Sequence, residues 1–173
     1  MPDLLIISGA PSPDAPTGVV VSHVSAALES AGHRVSVLNV RSLPTLSLLT
    51  EDLRDPEIAA AVSSVLTADG VVVASPVYRA AYSGLVKALL DLLPKKALRG
   101  RAVLPLATGG NQGFLVAMDY ALHPLLAAKG ADQVVRGEFV LDQKVGSPES
   151  AAALDAAADR FVTALTPRLR KVS

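Results

Sequence analysis

The chain alternates between short unbroken apolar runs and longer stretches in which apolar residues return every third or fourth position. Leu4-Leu5-Ile6-Ile7, Gly70-Val71-Val72-Val73 and the apolar run inside Arg101 to Ala107 are of the first kind. Such runs, bounded by turn residues, read as strands buried on both faces. The pattern predicts strands over Asp3 to Ser8, Val35 to Val40, Gly70 to Val73, Arg101 to Ala107 and Gln133 to Leu141. Helical spacing fills the intervals: Val19 to Ala31, Asp55-Pro56 to Ala68, Leu85 to Leu93, Gln112 to Lys129 and Glu149 to Leu169. Asp55-Pro56 has the cap and first-turn chemistry of a helix start, and Pro94 stops the third helix. Arg41 to Asp55 has no clear period and reads as a long surface connection.

Regular strand–helix alternation with doubly buried strands predicts an α/β fold, a doubly wound parallel sheet in one domain spanning residues 1–173. Five strands fit the flavodoxin-like order 2-1-3-4-5, whose ligands bind where the order reverses, beyond the strands' carboxyl ends. The loops after strands 1, 3 and 4 would then share one rim. They are also the loops richest in Gly, Pro, Ser and Thr, and the middle one, Ala74 to Gly84, holds Tyr78 and Tyr82.

Composition narrows the partners. Half of the residues are apolar but only 3% aromatic, so the core is built from Ala, Val and Leu. Sixteen basic and sixteen acidic residues cancel, which argues against nucleic acid as a ligand. The one basic cluster, Arg168, Arg170 and Lys171, reads as a solvated tail. Absence of cysteine removes disulfides, thiolate metal sites and cysteine nucleophiles, and fits a cytoplasmic protein. Met1-Pro2-Asp3 carries no basic leader, and no apolar run is long enough to cross a membrane. Near-zero net charge leaves little to oppose self-association.

The first rim loop contains Gly9, Ala10, Pro11 and Ser12 and enters a helix through Thr17 and Gly18. A helix entry offers unpaired N–H groups and a positive dipole end, suited to phosphate. The loop matches neither the dinucleotide fingerprint nor the Walker pattern, its prolines at 11, 13 and 16 remove donors, and Asp14 adds negative charge. A plain connecting loop is the competing reading. In the third loop, Thr108-Gly109-Gly110-Asn111, adjacent glycines let backbone approach a flat ring; a tight turn before a capped helix is the alternative. Pro124 cannot donate to the carbonyl of Tyr120, which predicts a break or π-bulge there. Tyr120 could equally be packing against a neighbouring helix or subunit. His23, His33 and His123 have no metal-ligand spacing, and no serine sits in a nucleophile elbow. No metal and no protein catalytic group are expected.

Ser75-Pro76-Val77-Tyr78-Arg79-Ala80-Ala81-Tyr82-Ser83-Gly84, Leu89-Leu90-Asp91-Leu92-Leu93-Pro94, Leu104-Pro105-Leu106-Ala107-Thr108-Gly109-Gly110 and Asp119-Tyr120-Ala121-Leu122 together resemble the NADPH-dependent FMN reductases of the flavodoxin-like superfamily. The resemblance is strongest to the reductase component of two-component alkanesulfonate monooxygenase systems. It implies that Pro76, Val77 and Tyr78 line a flavin ring, with Ser83 closing that loop, and that Thr108, Gly109 and Gly110 approach the pyrimidine edge. It also implies a π-helical Tyr120 at a subunit interface, and a dimer or tetramer built through that helix. Arg79 is the nearest candidate for a nicotinamide cofactor's 2′-phosphate.

The first loop departs from that family's Gly-Ser-x-Arg pattern, since Gly9-Ala10-Pro11-Ser12 has neither the serine nor the arginine. Of the later hydroxyl cluster only Thr17 remains. A charge-assisted phosphate contact is worth about 1.5–3 kcal/mol, so its loss weakens binding tenfold or more. The resulting expectation is an NAD(P)H-dependent FMN reductase that binds FMN as a dissociable substrate and supplies reduced flavin to a partner monooxygenase. Two alternatives stand beside it: a reductase of quinones or azo compounds with fixed flavin, and a flavodoxin-like binding or assembly subunit without flavin.

Overall fold

The computed structural model describes residues 1–169, with side chains through 165; Arg170 and Lys171 of the basic cluster, and the side chain of Arg168, lie outside what it describes. Strands β1 (Asp3–Ser8), β2 (Arg34–Asn39), β3 (Gly70–Tyr78) and β5 (Ala102–Gly109) form a parallel sheet completed at its far edge by β6 (Gln133–Val134) and β7 (Glu138–Leu141). Spatially the order is β2-β1-β3-β5-β6, with β7 also on β5. Counting the last two as one strand gives the doubly wound order expected from the sequence.

Strand periodicity sends alternate residues to opposite faces. Leu5, Ile7, Val71, Val73 and Val103 face one layer, made by α2 (Thr45–Leu49), α3 (Pro56–Thr67), α4 (Gly84–Leu92) and α5 (His123–Ala128). Leu4, Ile6, Val72, Ala74, Leu104 and Leu106 face α1 (Pro16–Ser30) and α6 (Pro148–Leu169), where Phe161 is wholly buried. Side chains covered on both faces explain why the central strands read as unbroken apolar runs.

Five differences from the sequence reading have local causes. Helix α1 begins at Pro16 rather than Val19, because proline's fixed φ suits the first helical turn. The supposed surface connection holds a 3-10 turn, Val40–Ser42, and α2, since Val40, Leu43 and Leu48 are buried in the core layer that also holds α4. The long helix expected over Gln112 to Lys129 is three pieces: a 3-10 turn (Gln112–Leu115), a π-helical segment (Met118–Leu122) and α5. The His123 N–H donates to the Met118 carbonyl, the five-residue step expected when Pro124 withholds its bond from Tyr120.

The last strand is split in two. Val135 donates to the Val103 carbonyl at 2.8 Å, so Pro105, two residues along, faces the same edge with no N–H to offer. The edge strand yields there, and a β-carbon on Gly137 would overlap the Pro105 carbonyl. Finally, β3 outruns its expected end and returns as β4 (Ala81–Tyr82), pairing Val77 with Tyr82 and Tyr78 with Ala81. Both turn residues of this hairpin, Arg79 (φ 48) and Ala80 (φ 63), are left-handed. That conformation matches hairpin twist but costs a non-glycine residue about 1–2 kcal/mol.

Candidate active site

The three rim segments meet at the carboxyl ends of β1, β3 and β5. The Gly9 N–H donates to the Ala74 carbonyl at 2.8 Å, which joins the first segment to the second. Pro76 lies beside Thr108 in the β3–β5 register, which joins the second to the third. The hydroxyls of Thr17 and Thr108 are 2.6 Å apart and fully buried, which closes the circuit. These two threonines brace the rim from beneath instead of facing outward.

In the first segment, the Ala10 N–H is turned back to the Ser8 hydroxyl, and Pro11 and Ser12 lie toward the surface. Ala15 holds the cap position of α1 and supplies no side-chain acceptor. The buried residues Thr17 and Gly18 consequently have backbone N–H groups with no acceptor among the described residues. Buried N–H groups are nearly always paired, and at a helix start an anion is their natural partner. Gly18 is glycine for a steric reason. A β-carbon there would overlap the carbonyls of Ser12 and Pro13, which fold across the helix entry.

The second segment is rigid at both ends. Pro76 and Val77 are buried, and the Ser75 hydroxyl accepts the Ser83 N–H at 2.8 Å, pinning the hairpin's return. The Ser83 hydroxyl accepts from Leu85 N–H and caps α4. Between these anchors Tyr78 and Arg79 project outward. In the third segment Gly109 is buried and Gly110 exposed, and the Asn111 side chain caps the following turn through the Gly113 N–H at 2.8 Å. Only Asp142 Oδ2, at 3.8 Å, comes near the position of a β-carbon on Gly110. Burial pushes the Asp142 carboxyl above the usual carboxylate range. Tyr120 is 83% exposed on the π-helical segment, which packs beside β4, so the packing role within the chain is not the one it fills.

The reading from sequence missed a fourth contributor. A cavity of about 600 Å³ runs from the first segment to the end of β2, lined by Ala10, Ser12, Gly18, Val37, Asn39 and Arg41 among others. It does not reach residues 76–84 or 108–113. Arg41 follows β2 by two residues, and every segment leaving the carboxyl end of a parallel strand belongs to the rim. That rule, applied to strand 2, would have found it. The three histidines lie apart; His23 pairs across helices with Asp155 at 2.7 Å. Among the described residues, no group of His, Asp and Glu is placed to hold a metal ion.

The sequence model of the family described as NADPH-dependent FMN reductase matches residues 2–146. The chain belongs to this family. An FMN reductase (NADPH) of Escherichia coli K12 is 35% identical over 173 residues, 95% of this chain and 91% of that protein. A second FMN reductase (NADPH), from Pseudomonas putida KT2440, is 39% identical over 143 residues, covering 83% of this chain and 73% of its own. The apo crystal structure of an NADH:FMN oxidoreductase, EmoB, superposes with a TM-score of 0.88 at 35% identity, covering 93% and 88% of the two chains. The fold is accordingly the flavodoxin-like one.

The residues of the rim fit the family's cofactor. Unpaired N–H groups at Thr17 and Gly18 suit a phosphate, and the clear space over Gly110 admits a planar ring edge to the backbone. Beside them Pro76 and Val77 are buried and Tyr78 is exposed.

Proposed function

We propose that this single domain is an NAD(P)H-dependent FMN reductase that takes FMN as an exchangeable substrate and releases reduced flavin to a monooxygenase. The observation that carries the reading is the rim itself: unpaired N–H groups at the start of α1 and an open glycine backbone at the end of β5, tied together through Thr17 and Thr108. When bound, the flavin supplies the hydride acceptor, and the redox chemistry belongs to the two cofactors. What the chain does is position them. Thr17 and Gly18 would receive the phosphate, and Pro76, Val77 and Tyr78 would flank the ring. Backbone at Thr108, Gly109 and Gly110 would offer N–H groups where negative charge gathers. Arg79, held outward by the strained turn, is placed for the nicotinamide nucleotide.

Exchange is favoured because the first segment carries no cation and one anion, Asp14. Tyr120, Val116 and Leu115 are exposed apolar residues on and before the π-helical segment, and we assign them to a contact between copies of the chain, in a dimer or tetramer. No described helix is long and apolar enough to cross a membrane; we place the enzyme in the cytoplasm, with its reduced nicotinamide pool.

Steady-state NADPH oxidation tests the reading. The rate should saturate with added free FMN, and the protein should emerge colourless from gel filtration. A preparation that stays yellow, with a rate indifferent to added FMN but set by a quinone or azo compound, would overturn it.

A further inference from the structure

The cavity beside the first segment is larger than a phosphate pocket needs and has one cation in its lining, Arg41. Arg41 is exposed, and its side chain makes no hydrogen bond or ion pair to any described residue. The cavity's single acid, Glu29, lies at the other end of α1 from Gly18, roughly 16 Å away at 1.5 Å per helical residue. It is held there by the Ser25 hydroxyl at 3.4 Å. The cavity's acid is therefore set apart from the helix start, while Arg41, Ser12 and Gly18 line the same cavity.

We infer that Arg41 is the residue by which this protein recognises a flavin's phosphate, replacing from the end of β2 the arginine that the first loop lacks. The inference rests on the flavin reading above and adds to it a specificity determinant. Two independent features support it: N–H groups of buried residues without acceptors, and an unpaired guanidinium lining the cavity beside them. Guanidinium matches phosphate oxygens with a planar fork of donors, which an ammonium does not reproduce. Beyond Arg41 the cavity continues between Val21 and Ala26 of α1 and Val37 of β2, with Ser22, Ser25 and Asn39 among its walls. Its 600 Å³ lies within the range of small-molecule pockets. A phosphate esterified further, as in FAD, can extend there. The shared chemistry is a flavin phosphate, whether the monoester of FMN or the diphosphate of FAD.

Isothermal titration of the purified protein with riboflavin, FMN and FAD tests this, in the parent and in Arg41→Ala and Arg41→Lys. Arg41→Ala should weaken FMN binding roughly tenfold or more while leaving riboflavin unchanged. Arg41→Lys should recover only part of the loss. An equal loss for FAD shows that the diphosphate uses the same cation, and a loss confined to FMN marks the monoester as the ligand. Equal affinity of the parent for riboflavin and FMN, or a loss shared by riboflavin in Arg41→Ala, would overturn the role of Arg41 and leave the flavin reading standing. Failure of all three flavins to bind would overturn both.

Discussion

The two ends of the rim are built on opposite plans. On the side proposed for the ring, backbone is anchored by hydrogen bonds of its own, Ser75 to Ser83 and the Ser83 cap on α4, while the Thr17–Thr108 pair joins the two sides from below. On the side proposed for the phosphate, the loop folds its own carbonyls over Gly18, and the one cation lining the adjoining cavity follows another strand. Orientation of a ring needs fixed surfaces, because small displacements of reacting atoms are costly in rate. Retention of a phosphate can be weak when the flavin must leave. Under the proposed reading, the part of the rim departing most from the family pattern is the part that would hold the phosphate rather than align the ring.

Glycine substitutions break the comparison most sharply. Gly18→Ala places a β-carbon into two backbone carbonyls and should cost about 3 kcal/mol or more, read as a shift in urea midpoint. Gly110→Ala meets only Asp142 Oδ2 at 3.8 Å. It should change stability by less than about 0.5 kcal/mol while weakening flavin binding. Equal destabilisation by the two would remove the structural basis of the contrast.

A smaller effect is expected from the brace. Thr108→Val leaves the Thr17 hydroxyl buried without its partner and should cost about 1–3 kcal/mol. Adding Thr17→Val should cost less than the sum of the single changes, because the second removes the orphan left by the first. Strict additivity in chemical denaturation would show that the hydroxyls do not act as a pair. Smallest is Ala80→Gly, which relieves a left-handed alanine at φ 63. It should stabilise by about 1 kcal/mol or less, a rise in Tm of roughly 2–4 °C. A fall in Tm would show that the hairpin turn is not strained.

Much of this was legible in the residues. The doubly covered parallel sheet followed from unbroken apolar runs, its order from the fit of five strands to the flavodoxin-like winding, and the π-helical segment at Tyr120 from a proline four residues on. The fragmentation of the last strand was not, although its cause, Pro105, is visible: a missing N–H matters only once the register shows which edge it faces. α2 escaped notice because one helical turn is too short to display a period, and its stability comes from burying Leu48. Arg41 and Asp142 were missed because neither belongs to a glycine-rich loop. Their relevance arises from which strand ends the fold sets side by side, and local patterning carries no record of that.

The central claim is that residues 9–18, 76–84 and 108–113 form one surface for a flavin. The difference absorption spectrum on adding the purified protein to FMN tests it most directly. We expect a saturable perturbation of the isoalloxazine bands at one flavin per chain, diminished in Gly110→Ala. An FMN spectrum left unchanged by the folded protein, at concentrations where NADPH is also present, would contradict it.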